Sequence, residues 1–123
     1  MVRVRSTELA VLQRNGGQKR THHPDDPQWS VLVLLDGDDV VAIRNSCPHY
    51  GVDLISGYRR DGWIECPMHS WRIDVRTGQV MNHPTLCVQT FAVTVDADGV
   101  VYVDLPERSE LAAAPTHNDE EQP

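Results

Sequence analysis

Two short segments of the sequence combine cysteine with histidine at spacings that suit metal binding. Cys47 precedes His49 with one proline between them, and Cys66 precedes His69 with a proline and a methionine between them. Sixteen residues separate His49 from Cys66. Each segment places a thiolate and an imidazole on one tight loop, so both side chains can reach one metal. Two cysteines with two histidines suit either tetrahedral zinc or an iron–sulfur cluster with mixed ligands.

The elements that must position these segments are predicted to be strands. Trp29 to Leu35 and Val40 to Ile43 indicate a hairpin, because the Asp-Gly pair between them supplies the positive φ of a tight turn. Trp63 to Glu65 predicts a short strand, and alternating apolar and polar residues predict others at 71–75, 91–95 and 100–105. No amphipathic helix longer than two turns is predicted. About seven short strands indicate an all-β antiparallel sandwich or barrel, in which the two segments form loops at one end of a sheet.

Two stretches fall outside this pattern of strands. Residues 15–28 are polar and contain two glycines and two prolines, which predicts a surface loop. Residues 106–123 are rich in alanine, proline and acidic residues, which predicts a mostly disordered acidic tail with at most a brief helical turn from Glu110 to Ala114. The predicted folded domain is therefore 1–105.

Composition and charge exclude several classes of protein. A length of 123 residues, with 40% hydrophobic and 24% charged residues, fits one globular domain. A net charge of −7 argues against a nucleic-acid partner. The longest apolar stretch, Val31 to Leu35, is far shorter than the ~20 residues that cross a bilayer, and the first residues lack the apolar core of a secretory signal. We therefore expect a cytoplasmic protein with no membrane partner, in which three cysteines point to metal rather than to disulfides.

The spacing Cys-Pro-His, sixteen residues, Cys-Pro-x-His resembles the signature of the Rieske [2Fe–2S] family. The segment His83-Pro84 falls where Rieske proteins have a loop that covers the cluster. The resemblance covers residues ~29–105 well and residues 1–28 only loosely. Other residues that fit the family pattern are Gly51, Leu54, Gly57, Asp74, Thr77, Gly78 and the closing strand after Asp98-Gly99.

The resemblance implies one [2Fe–2S] cluster and a Rieske-type β-sandwich with two cluster-binding loops at one end. By this analogy Cys47 and Cys66 bind one iron, while His49 and His69 bind the other, nearer the surface. Two ferric ions, two sulfides and two thiolates sum to zero charge, whereas four thiolates would leave two negative charges. Neutral histidines therefore make the addition of an electron easier and raise the potential.

The sequence differs from one branch of the family, and these differences indicate which of the family's functions the resemblance implies. The Rieske proteins of cytochrome bc complexes have a disulfide between two further cysteines, at positions where this chain has Val52 and Met68. They also have serine and tyrosine hydroxyls beside the cluster, at positions where this chain has Trp71 and Ile73. The sequence is instead similar to the soluble Rieske ferredoxins of bacterial ring-hydroxylating oxygenases.

The function implied by this resemblance is one-electron transfer. The donor would be an NAD(P)H-dependent flavoprotein reductase and the acceptor a terminal oxygenase. The chain ends at residue 123, so we expect it to lack the mononuclear iron domain of oxygenase large subunits and not to be an enzyme itself. The alternatives are a small accessory subunit of a nitrite-reductase-type enzyme and a zinc-stabilised binding module.

The remaining cysteine and histidines are interpreted as ordinary structural residues. Cys87 is predicted to be a buried, small apolar residue at a strand start. His22, His23 and His117 are predicted to be solvated, and His83 to be a surface residue. The expected contact surface for the electron acceptor consists of Tyr50, Met68, Ser70, Trp71 and the Pro84 loop.

Overall fold

The computed structural model of the chain describes residues 1–47, 53–60, 62–67, 71–81, 83 and 85–113. The described part holds ten strands and two short helices, together with a 3-10 helix at Leu54–Ser56. The helices are α1 (Leu9–Arg14) and α2 (Arg108–Ala113). The strands are β1 (Val2–Glu8), β2 (Gln18–His23), β3 (Asp26–Asp36), β4 (Asp39–Arg44), β5 (Tyr58–Arg60), β6 (Trp63–Glu65), β7 (Arg72–Asp74), β8 (Thr90–Phe91), β9 (Val93–Val95) and β10 (Val100–Leu105).

These strands form three antiparallel sheets. One sheet has the order β1-β10-β9, a second has the order β2-β3-β4-β8, and the third has the order β5-β6-β7. The predicted all-β antiparallel fold is therefore confirmed.

The four-stranded sheet lies between two hydrophobic clusters, because successive side chains of β3 point to opposite faces. Leu32 and Leu34 pack into one cluster with Ile64 and Ile73 of the third sheet. The alternate residues of β3 pack into the other cluster with the sheet that contains β10. A strand buried on both faces needs apolar residues at every position, which accounts for the uninterrupted run at 31–35.

The predicted hairpin is present at β3 and β4, where Asp36 pairs with Asp39. Gly37 in the turn has φ 66°, the left-handed conformation that the Asp-Gly pair was expected to supply. The guanidinium of Arg76 donates to both aspartates, with 2.7 Å to Asp39, and these carboxylates raise the pKa of Arg76. This contact ties the hairpin turn to the residues that follow β7.

The prediction of a surface loop at residues 15–28 is wrong. Residues 18–23 form β2, which pairs with β3 over residues 30–34, and β3 itself begins at Asp26. The strand is hard to recognise from the sequence because its residues are almost entirely polar. Only Thr21 and His23 are buried in it. The predicted solvation of His23 is also wrong, whereas His22 is exposed as expected.

The side chain of His23 joins the β2–β3 turn to the end of β10. Its Nδ1 accepts the backbone N–H of Asp25 (3.0 Å), so Nε2 carries the proton and donates to the carbonyl of Pro106 (2.8 Å). Pro106 leads into α2, which is longer than the brief turn that the sequence predicted. The boundary between a domain at 1–105 and a disordered tail at 106–123 stays a prediction, since residues 114–123 lie outside the described residues.

No helix in the described part of the chain has the length and apolar character needed to cross a membrane.

Candidate metal centre

Cys47 and Cys66 are brought together in one buried hydrophobic cluster. Cys47 follows β4 and Cys66 follows β6, so each lies where a strand ends and a predicted loop begins. Both are buried, at 0% and 1% exposure, and neither forms a disulfide. They share the cluster with Leu54, Ile73 and other apolar residues from two sheets.

The first predicted loop (residues 46–53) is closed at its base by Asn45. The Oδ1 atom of this buried side chain accepts the backbone N–H groups of Leu54 (2.9 Å) and Ile55 (3.1 Å). Its Nδ2 donates to the hydroxyl of Ser30 (3.1 Å), and its own backbone N–H donates to the carbonyl of Ser30 (3.1 Å). The residue before the loop is therefore bonded both to β3 and to the residues after the loop.

Two side chains of β2 also contact the end of the first predicted loop. Gln18 Nε2 donates to the carbonyl of Ile55 (3.0 Å), and Arg20 forms an ion pair with Asp53 (3.3 Å).

The start of the loop is fixed by Arg44, whose guanidinium donates to the carbonyl of Ser30 (3.1 Å). Burial lowers the pKa of Arg44, and its cation lies 4.5 Å from the centroid of the Trp29 ring.

The second predicted loop (residues 66–71) is closed by its own backbone. The N–H of Cys66 donates to the carbonyl of Trp71 (2.8 Å), which brings the two ends of the loop together at the tip of the β6–β7 hairpin. The Trp71 ring packs against the cluster that contains Cys47 and Cys66, and its centroid lies 4.1 Å from that of the His83 ring. His83 is exposed, as predicted, but it contacts a residue of this loop.

The two histidines of the predicted ligand set, His49 and His69, lie outside the described residues. Among the described residues no group of three or more histidine, cysteine or acidic side chains is assembled. The two cysteines nevertheless fit the [2Fe–2S] cluster that the resemblance implies. Two cysteine side chains buried in one apolar cluster, at the starts of the two predicted loops and not joined by a disulfide, can supply two thiolate ligands.

The third cysteine lies apart from this pair. The prediction that Cys87 is buried is wrong, because its side chain is exposed. It pairs with Gln79 through an isolated β-bridge, while the buried position next to it is occupied by Val88. The position predicted to be buried, Cys87, therefore lies one residue before the position that is buried, Val88.

The expected acceptor surface lies mostly in residues that the structure leaves undescribed. Tyr50, Met68, Ser70 and Pro84 lie outside the described residues, whereas Trp71 is half-buried beside the cluster. Sequence reasoning missed Asn45 and Gln18 as residues that hold the first predicted loop. An asparagine two positions before a cysteine is a weak signal by itself, and Gln18 lies in the segment predicted to be a loop.

Comparisons with known proteins identify the family and several related proteins. Residues 2–92 match the family described as the Rieske [2Fe-2S] domain. The chain is 35% identical over 79 residues to the anthranilate 1,2-dioxygenase ferredoxin subunit of Burkholderia cepacia, a match that covers 63% of this chain and 72% of that subunit.

Two solved structures show the same fold. The ferredoxin of carbazole 1,9a-dioxygenase from Nocardioides aromaticivorans has a TM-score of 0.69 and 34% identity, with 84% of this chain and 97% of that chain covered. A chain from the complex of reduced oxygenase and oxidised ferredoxin in carbazole 1,9a-dioxygenase has a TM-score of 0.73 and 26% identity, with 83% and 92% covered. The family match begins at residue 2, so the similarity includes the N-terminal segment that the sequence pattern fitted only loosely.

Proposed function

Because this chain belongs to the Rieske [2Fe–2S] domain family, we propose that it is a one-electron carrier between a flavoprotein reductase and a terminal oxygenase. The observation that carries this proposal is that Cys47 and Cys66 are buried in one apolar cluster, at the starts of the two predicted loops, and are not joined by a disulfide. The likeness to ferredoxin subunits of dioxygenases supports the carrier role rather than an enzymatic one. A cytoplasmic location stays a prediction.

The four residues that we propose to hold the [2Fe–2S] cluster are Cys47, His49, Cys66 and His69. As in the family pattern, the two thiolates would bind one iron and the two imidazoles the other. When bound, the cluster supplies the ability to accept and release a single electron. The protein supplies an apolar surrounding at the cysteines and two loops whose ends are fixed by hydrogen bonds, which limits their rearrangement when the charge changes.

The acceptor is proposed to be a terminal oxygenase. Support comes from the carbazole dioxygenase system, in which a ferredoxin and an oxygenase form a complex. In this chain the half-buried ring of Trp71 and the exposed ring of His83 lie next to the second predicted loop. Exposed apolar side chains of Met81 (52%) and Leu86 (36%) lie in the same segment as His83. Such a small apolar surface suits a short-lived contact of below ~1,200 Å².

The donor is proposed to be an NAD(P)H-dependent flavoprotein reductase. The decisive experiment mixes the purified holoprotein anaerobically with NADH and an NADH-dependent flavoprotein reductase of a dioxygenase system, and follows bleaching of its visible absorption. The reduced protein is then mixed either with a Rieske oxygenase or with the catalytic subunit of a nitrite reductase. Reoxidation by the oxygenase alone supports the proposal, while reoxidation by the nitrite reductase alone would favour the accessory-subunit alternative.

The zinc alternative is tested on the protein by itself. A cluster gives red-brown colour with equimolar iron and acid-labile sulfide, whereas a zinc module is colourless. A colourless protein that contains one zinc and no sulfide would refute the carrier function.

A further inference from the structure

Asn45 connects three parts of the chain that meet at the first predicted loop. It lies two residues before Cys47, and its Oδ1 accepts the backbone N–H groups of Leu54 and Ile55 at the far end of the loop. Its Nδ2 donates to the hydroxyl of Ser30 on β3. Asn45 is 2% exposed, so a side chain of similar size without a hydrogen-bond acceptor would leave the partners of these bonds unpaired away from bulk water.

We infer that Asn45 is a positioning residue for the metal centre, one that holds the first predicted loop closed so that Cys47 keeps its place as a ligand. The inference rests on the proposed cluster site. Asn45 acts through the loop and touches neither the metal nor a partner.

The geometry favours this role over a merely stabilising one. The two amides that Asn45 accepts belong to the first residues of the 3-10 helix, and the first N–H groups of a helix have no acceptor within that helix. The helix begins immediately after Asp53, which ends the loop, and Leu54 itself packs in the cluster with Cys47. One side chain therefore fixes the separation between the two ends of a loop that carries two of the proposed ligands.

The anchor of Asn45 is itself well fixed. Ser30 lies in the middle of the central sheet and is buried, and its carbonyl accepts the N–H of Asn45 and a guanidinium N–H of Arg44. Because Ser30 is held by the sheet, the position of the loop base is set by β3. Loss of the Asn45 amide should therefore loosen the loop and leave the sheet intact.

The test compares the holoprotein with the variants Asn45→Leu, Asn45→Asp and Ser30→Ala. The rate of cluster release to an excess of an iron chelator is measured from the visible absorption, well below the melting temperature. We expect Asn45→Leu to release the cluster about tenfold faster or more, in line with other residues that support metal ligands. Asn45→Asp keeps an oxygen for both amides and should stay close to the wild-type rate, and Ser30→Ala should lie between the two.

A second measurement does not depend on the cluster. Amide hydrogen exchange at Leu54 and Ile55 should speed up in Asn45→Leu and stay slow in Asn45→Asp. The matched control is Ser6→Ala, which removes a hydroxyl contact of 2.6 Å to Thr21 between β1 and β2. It should lower the melting temperature without changing the release rate.

Each outcome decides the inference. A wild-type release rate in Asn45→Leu, equal acceleration in Ser6→Ala, or an Asn45→Asp rate as fast as that of Asn45→Leu would overturn it. If Asn45→Leu does not fold, Ser30→Ala and Asn45→Asp decide the question. A wild-type protein without any cluster would instead refute the proposed function.

Discussion

The rings of Trp71 and His83 lie 4.1 Å apart between their centroids, with an angle of 43° between their planes. Trp71 ends the second predicted loop, and His83 belongs to a turn in which its N–H donates to Val80 (3.0 Å) and its carbonyl accepts from Leu86 (2.9 Å). The contact therefore joins the loop that begins at Cys66 to the segment that follows β7.

Removal of the His83 ring should loosen this junction. We expect His83→Ala to lower the free energy of unfolding by about 0.5–1.5 kcal/mol, the range found for paired aromatic rings, as measured by denaturant titration of the holoprotein. His83→Phe is the control because it keeps a ring beside Trp71. Equal destabilisation by both substitutions would show that the imidazole nitrogens, and not the ring contact, are what matters.

The assignment of the ligands makes a second prediction. Cys66→Ala should lose nearly all iron and sulfide, because the iron proposed to bind the two thiolates would keep only one protein ligand, Cys47, and metal binding is coupled to the order of both loops. Cys87→Ser is the matched control, since Cys87 is a free, exposed cysteine outside the cluster, and it should keep full content. Iron and acid-labile sulfide are measured per protein chain. Full content in Cys66→Ala would contradict the assignment.

The chemistry of the site could be predicted from the sequence because it resides in residue types and spacing. Two cysteine–histidine segments separated by sixteen residues are enough to indicate the family. The hairpin at Asp36 to Asp39 was likewise predictable, because a tight turn with positive φ at Gly37 has a local sequence requirement. Both are properties of a few neighbouring residues.

What could not be predicted depends on contacts between distant residues. The strand β2 is polar along most of its length, so its pairing with β3 is decided by the partner strand and not by its own pattern. The burial of His23 similarly depends on Pro106, which lies 83 positions away in the sequence. Asn45 is connected to Ser30 and Leu54 by the same kind of distant contact.

Gly57 should be intolerant of any side chain. Its φ of −77° is ordinary, but an added Cβ would lie 2.1 Å from the carbonyl oxygen of Glu65, which is backbone and cannot rotate away. We expect Gly57→Ala to cost about 1–3 kcal/mol in unfolding free energy and to speed cluster release, because the clash lies between the residue that follows the 3-10 helix and the strand that leads to Cys66.

The matched control for Gly57 is Gly16→Ala. Gly16 has a positive φ of 76° with no atom within 4 Å of an added Cβ, so its cost is conformational and local to the end of α1. It should lower the melting temperature without changing the release rate. Faster release in both variants would show that release follows general stability.

The midpoint potential should lie in the lower part of the Rieske range. Hydroxyl donors near the sulfurs stabilise the reduced state of the cluster. The Rieske proteins of cytochrome bc complexes have such hydroxyls at the two positions where this chain has Trp71 and Ile73. Ile73 lies in the same apolar cluster as the two cysteines, and its aliphatic side chain has no hydrogen-bond donor to replace a hydroxyl. We expect roughly −150 to 0 mV within the ~−150 to +300 mV span of the family, measured by protein-film voltammetry. A value near +300 mV would contradict this.

The exposed apolar side chains near Trp71 should be where the electron acceptor docks. Met81 is 52% exposed, and its backbone N–H donates to the carbonyl of Arg72 (2.6 Å), immediately after the second predicted loop. Met81→Glu places a charge on this surface without changing any proposed ligand. We expect an unchanged visible spectrum and unchanged iron content, but slower reoxidation of the reduced protein by the oxygenase in stopped-flow mixing.

Val95→Glu is the matched control for this substitution. Val95 is also an exposed apolar residue (39%), but it lines a groove with Asp38, Asp39 and Arg76, beside the hairpin turn. The turn precedes the first residue of β4, whereas Cys47 follows the last residue of β4. The groove therefore lies at the opposite end of β4 from the proposed site. If Val95→Glu slows reoxidation as much as Met81→Glu does, added negative charge anywhere on the chain is sufficient. Normal reoxidation of Met81→Glu would place the docking surface elsewhere.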